Sequence, residues 1–198
     1  MRRLFAAMLL AFASAGYPQE HVHPSSSPGE KLGTVHFPTS CNASVTAKFD
    51  RAVALLHSFE FGAAIKGFED VLSADSTCAM AHWGIALSRW SNPMAAGNRS
   101  AQQIRQGSLA AANANRLADR ATDRERGYIA AVAELYKDFE NVAQRTRFLA
   151  YEHAMGDLAA KHPEDTEAKI FYSIALAASA PPGDKTYANQ RKAGSILA

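Results

Sequence analysis

Cys78 and His82 stand four residues apart in the stretch CAMAHWGIALS. On a helix that spacing puts a thiol and an imidazole on one face. Such a pair can ligate a transition metal, and His36 and Cys41 are the candidates to complete four ligands. No spacing demands a metal: there is no Cys-x-x-Cys, no Cys-x-x-Cys-His and no His-Glu-x-x-His. Cys41 and Cys78 are the two cysteines of the chain, so they also form one possible pair. His82 reads equally well as a large side chain wedged between helices.

The remaining chemistry-bearing residues are less pointed. His21-x-His23 could scavenge copper or zinc weakly, but it lies in a polar linker. Tyr151-Glu152-His153 offers acid–base types, yet adjacent helical residues point in different directions, which predicts a surface face. Arg116, Arg120 and Arg124 make a basic row that reads as a solvated edge, paired with Asp119 and Asp123. Asn42-Ala-Ser and Asn98-Arg-Ser match the glycosylation sequon by chance. Trp83, Trp90, Phe171 and Tyr172 are expected in the core. Nothing matches a nucleophile elbow, a phosphate loop or a dinucleotide fingerprint, so no catalytic residue and no cofactor is assigned.

These residues need elements to position them, and the chain of 198 residues is long enough for one good-sized domain. Its composition is 47% apolar, rich in alanine and sparse in β-branched residues, which predicts a packed helical core. MRRLFAAMLLAFASA has a basic start, an apolar run from Leu4 to Ala13 and a small-residue site, the pattern of a signal peptide with cleavage expected after Ala15. The apolar run is too short to span a bilayer, and no cysteine follows for lipid attachment. Loss of Arg2 and Arg3 takes the net charge from +2 to about zero, which gives no electrostatic reason to expect nucleic acid or an anionic membrane. Residues 16–41 read as a flexible Pro/Ser/Gly/His-rich tether ending in an extended lead-in, TVHFPTSC, where Pro38 forces Phe37 out of helical geometry.

From residue 42 onward helices dominate. Val45, Phe49, Ala52, Val53 and Leu56 recur at helical spacing, and Phe61-Gly62 is expected to break that first helix. Helices follow over 63–73, from about Cys78 to before Asn92-Pro93, 101–118, from Thr122 to about Lys137, 144–161, 165–179 and from about Thr186. Thr122-x-x-Glu125 is a capping box that opens the fifth.

The helices come in pairs with repeating offsets. Ala64, Phe68, Val71 and Ser76 correspond to Ala110, Ala114, Leu117 and Thr122, and to Tyr151, Met155, Leu158 and Pro163. Six residues beyond each terminator stand His82, Tyr128 and Lys169. EFGAAIKGFEDVLSADS and AMAHWGIAL resemble the second helix, terminator and next first helix of the tetratricopeptide repeat, a helix pair of about 34 residues. With the leader, LGTVHFPTSC and CAMAHWGIALSRW, the chain resembles exported bacterial proteins of that family without an assigned activity.

The resemblance implies an all-α, right-handed solenoid of about three and a half helix pairs over residues 42–198. The last helix carries no end cap, so a longer solenoid is expected. The resemblance also implies a protein or peptide partner on the concave surface, where the first helices offer Lys48, Arg51, Arg89 and Arg126, and no membrane span after cleavage. In such a stacked pair both cysteines stand at neighbouring helix beginnings. In an oxidising compartment a Cys41–Cys78 disulfide is then expected, ahead of two buried thiols or a metal site of His36, Cys41, Cys78 and His82. A third possibility is the non-catalytic part of a longer enzyme.

Overall fold

The computed structural model describes residues 32–198. The expected signal peptide and most of the tether lie outside the described residues. Among the described residues the fold is all-helical, with no strand. The helices are α1 (Thr46–His57), α2 (Phe61–Ala74), α3 (Ala79–Trp90), α4 (Ala101–Arg116), α5 (Asp123–Glu134), α6 (Gln144–Lys161), α7 (Thr166–Ala178) and α8 (Ala188–Leu197), with short 3-10 turns at Ala43–Val45 and Ala118–Arg120. Each helix packs on the next, and α3 also touches α1 and α5.

Local signals set most of the boundaries. Thr122 caps α5 by accepting from the Glu125 amide, while Glu125 returns a carboxylate oxygen to the Thr122 amide at 2.7 Å. Ser100 and Gln103 make the same reciprocal cap on α4, a pairing not read from the sequence although Ser-x-x-Gln is its signature. Asp165 caps α7 through the Ala168 amide. Pro163 follows α6 directly after His162, as expected of a residue that cannot continue a helix.

The end of α1 differs from expectation. Phe61-Gly62 does not break the chain but opens α2. The turn comes at Ser58–Glu60, where Phe59 adopts φ 61° and the Glu60 amide reaches back to the Leu55 carbonyl. That is the left-handed helix stop usually given to glycine, here carried by a bulky aromatic. The fifth helix also ends earlier than expected, at Glu134 rather than near Lys137.

The core is an aromatic chain that crosses the helices. Phe68 of α2 meets Phe49 of α1 at 5.4 Å between ring centroids, and Trp83 of α3 meets Tyr128 of α5 at 5.3 Å and Phe171 of α7 at 5.5 Å. Gly84 makes the first of these layers possible, since any Cβ there would run into the Phe68 ring. Gly107 does the same for Tyr136, whose hydroxyl then reaches the Ala86 carbonyl at 2.6 Å.

Two contacts join ends of the chain that the sequence keeps far apart. His57, at the end of α1, shares a 2.7 Å hydrogen bond with Glu167 on α7. Its ring also stacks on Phe171 at 5.0 Å. The end of α1 therefore meets α7.

Candidate functional site

Residues 32–42 do not hang from the fold. They run as an irregular segment across the helices and form a strap, with Leu32 and Val35 packed against the core and Phe37 1% exposed. The Phe37 ring lies 5.6 Å from Phe49, 5.4 Å from Trp83 and 5.1 Å from Tyr128. Side chains from the helical body satisfy the strap's main chain. The Phe37 amide donates to Asp50 Oδ1 at 3.0 Å, the Ser40 amide to Glu125 Oε1 at 2.7 Å and the Asn42 amide to Asp75 Oδ2 at 2.8 Å. The Pro38 carbonyl accepts from Arg124 Nη1 at 3.0 Å. Helical side chains thus do for this irregular segment what a sheet would do for a strand.

Arg124 is the centre of that arrangement, which corrects its reading as part of a solvated edge, while Arg116 and Arg120 are exposed as expected. Its guanidinium sits over the Phe37 ring at 4.5 Å and the Tyr128 ring at 5.1 Å and forks onto Asp165 at 2.6 and 3.1 Å. Tyr128 adds a third donor to Asp165 at 2.9 Å. Burial alone would raise the Asp165 carboxyl, but the hydrogen bonds from Arg124 and Tyr128 outweigh it and hold the group below its ordinary value.

The folded state therefore binds this proton less readily than the unfolded chain does. The resulting stability is complete above the unfolded carboxyl value, about pH 4, and is lost as pH falls through the lower folded value. Urea unfolding between pH 7 and pH 2 is expected to show that loss, and Asp165→Asn to flatten the acid limb. An acid limb unchanged in the variant would mean that other carboxylates carry it.

The strap's end is fastened at Cys41. The sulfurs of Cys41 and Cys78 lie at disulfide distance, 2.02 Å, joining the strap to the residue that precedes α3. Among the described residues, the one group of three or more metal-ligating side chains with donor atoms within 4.8 Å of one another is Cys41, Asp75 and Cys78. It does not include His36 or His82, so the four-residue set considered from the sequence is not brought together. His36 is exposed, 3.8 Å from Asp50. His82 is half-buried on α3, where burial holds its imidazole below the ordinary value and so neutral. Asp75 is committed to the Asn42 amide, the Thr77 amide and the Thr77 hydroxyl.

The strap packs on α1, α3 and α5 through Phe37 and leaves the basic residues on which a partner was expected uncovered. Lys48, Arg51 and Arg126 are exposed and Arg89 is half-buried. Trp83, Trp90 and Phe171 are core residues as expected, and Tyr172 is partly buried. Of the Tyr151-Glu152-His153 triplet only His153 faces solvent; Tyr151 and Glu152 are buried, because α6 packs between α5 and α7 rather than lying on the surface.

An apolar hollow remains open beside the place where α1 and α7 meet. Its walls come from the ends of α1 and α3, the start of α2, the first half of α6 and the middle of α7, including Leu56, Phe59, Leu87, Phe148, Phe171 and Ile174. Two rim positions hold left-handed backbone, Phe59 at φ 61° and Ser91 at φ 66°. Such conformations are disfavoured for both residue types and concentrate at ligand clamps and switch regions. Phe59 is half exposed there, its ring edge-on to Phe61.

Two of the lining side chains are polar, almost wholly buried and unsatisfied by protein. Trp90 is 2% exposed, and its indole nitrogen has no acceptor. Arg99 and Arg147 lie over its ring at 5.3 and 5.6 Å and Phe148 stacks parallel to it at 6.1 Å. Tyr151 is 4% exposed, and burial raises its hydroxyl far above the ordinary value, which keeps the proton on. Neither cation opens into the hollow. Arg99 donates to the Trp90 and Asn92 carbonyls, and Arg147 to the Leu135 and Val142 carbonyls. The imidazole of His57 is engaged by Glu167.

No signal in the sequence marks this hollow, because its walls are ordinary core residues drawn from five separate helices. Compared with protein-family models, curated proteins and solved structures, the chain matches none.

Proposed function

We propose that this is an exported interaction module built from stacked helix pairs of the tetratricopeptide type, which holds a protein or peptide partner by an apolar side chain in the hollow between α1, α3, α6 and α7. The observation that carries the reading is the hollow itself: an apolar concavity rimmed by strained backbone and a half-exposed phenylalanine. Concave apolar sites with a few polar groups are where proteins take ligands, and a buried pocket that accepts one anchor residue is the usual centre of a binding surface. Export accords with a cysteine pair at disulfide distance, and no described helix is long and apolar enough to cross a membrane.

Selection of displayed random peptides against the folded chain tests the proposal. Enriched peptides should share one apolar anchor. They should lose binding to Ile174→Trp, which fills the hollow, and keep it on Leu109→Ser, an exposed position of α4 outside the hollow's walls. Peptides that bind the filled variant equally well would place recognition elsewhere and end this reading.

A further inference from the structure

A second opening, which shares no residue with the apolar hollow, lies where α4 and α6 begin. It is an open cleft of about 470 Å³, lined by Asn98, Arg99 and Ala101 at the start of α4 and by Asn141, Gln144 and Arg147 at the start of α6. Gln144 ties the two starts together. Its side-chain oxygen accepts from the Arg99 amide at 2.7 Å, and its side-chain nitrogen donates to the Gly97 carbonyl at 3.0 Å.

The cleft carries positive charge that the protein does not balance. Among the described residues, neither Arg99 nor Arg147 has a carboxylate within ion-pair distance. The one acid in the walls, Glu140, is exposed and pairs with neither. Burial works against both charges and lowers both guanidiniums from their ordinary value. The carbonyls of Trp90, Asn92, Leu135 and Val142 accept from them, and those dipoles offset part of each charge. Arg147 is 5% exposed, and its Nε and Nη1 are taken by two of these carbonyls. Its Nη2 has no protein partner, yet it is not sealed from solvent.

The backbone adds to the same field. α4 and α6 run 16 and 18 residues, and neither has an acid in its first turn. α6 has no side-chain cap, and the amides of Gln144, Arg145 and Thr146 find no acceptor among the described residues. A helix N-terminus offers partial positive charge and free N–H groups, the arrangement that takes phosphate. Arginine adds forked donors suited to the same group.

We infer that this cleft is a phosphate site, in which Arg99, Arg147 through its Nη2, and the first-turn amides of α6 hold the group, whether it arrives as free phosphate or on a small organic molecule. The inference goes beyond the apolar hollow and does not rest on it.

Arg99 and Arg147 also hold main-chain carbonyls, so the deciding variant is placed elsewhere. Ala101 is exposed, lines the cleft and stands first in α4. Ala101→Asp puts a carboxylate into the cleft and into the first helical turn, where it should keep or raise the stability of the fold. Ala101→Asn is the neutral control. Inorganic phosphate, phenyl phosphate and acetate are the probes, titrated into the full folded chain at a constant ionic strength of about 0.15 M and followed by nitrogen–proton correlation spectra.

Inorganic phosphate should move the amides of Gln144, Arg145 and Thr146 and the Arg147 Nε signal in a saturable way, and acetate should bind more weakly. Ala101→Asp should weaken phosphate about tenfold or more, the effect of a like charge at close range. Ala101→Asn should stay within about twofold of the parent, as an ordinary surface change does. Tighter binding of phenyl phosphate would assign the cleft to a phosphorylated organic molecule, and equal binding to free phosphate; either upholds the site. A drift that never saturates, or a response unchanged in Ala101→Asp, would show ionic screening alone and overturn the site. Acetate binding as tightly as phosphate would overturn its assignment to phosphate.

Discussion

Replacing Cys41 and Cys78 together by alanine is expected to lower stability by about 3–4 kcal/mol, the chain-entropy value for a loop of this length, and the thermal midpoint by roughly 6–16 °C for a domain of this size. The bond spans a separation of 37 residues and ties the strap's end to the start of α3. Alanine is the right replacement because Cys78 is 1% exposed, and a serine there would add the cost of a buried hydroxyl. The measurement is a pair of urea and thermal unfolding curves, with intact mass confirming that the parent chain lacks two hydrogens relative to the dithiol. A parent with two alkylatable thiols, or a variant within about 1 kcal/mol of the parent, a margin far below the loop-closure value, would remove the staple from this account.

Phe37→Ala should cost a similar amount, about 3–5 kcal/mol by the usual range for a buried phenylalanine. Phe37 is 1% exposed and touches rings from α1, α3 and α5 as well as the Arg124 guanidinium. Its loss should open Trp83 to solvent and shift tryptophan emission to the red. A strap that packs as one unit also predicts coupling. Once Phe37 is gone, removing the disulfide should cost less than it does in the parent, because the end it fastens is already loose. Strict additivity of the two changes would show that the disulfide acts on the unfolded chain alone. A small cost for Phe37→Ala would show that the strap decorates the fold without sealing it.

These two expectations depend on information of different kinds. The existence and order of the helices were legible from local pattern. Helical spacing placed Phe49, Ala52, Val53 and Leu56 on one buried face, Thr122 and Glu125 announced a cap, and Pro163 and Asn92-Pro93 marked the stops. Each signal lies within one or two helical turns, the range over which backbone hydrogen bonds and side-chain caps act. The cysteine pairing was also legible, because a chain with two cysteines has only one partner to offer each. The misplaced end of α1 shows where local pattern fails: Phe59 takes a conformation that its residue type disfavours, so composition pointed to the glycine at 62 instead.

Everything about how the helices come together was decided by tertiary structure. Arg124 looked like part of a solvated row because its partner, Asp165, lies 41 residues away, and the strap it holds lies 86 residues away. His57 and Glu167 are 110 residues apart, and nothing in either segment signals the other. The extended lead-in became a strap anchored by buried Phe37 because Phe37, Asp50, Glu125 and Asp75 converge only after the helices stack. The hollow follows the same logic. The sequence by itself determined an all-helical chain with one cysteine pair, because periodicity, caps and counting are local properties. Only packing decided that the strap is held by side chains of several helices and that an apolar hollow stays open where the ends of α1 and α3 meet α6 and α7, because both depend on distances between residues that the sequence keeps apart.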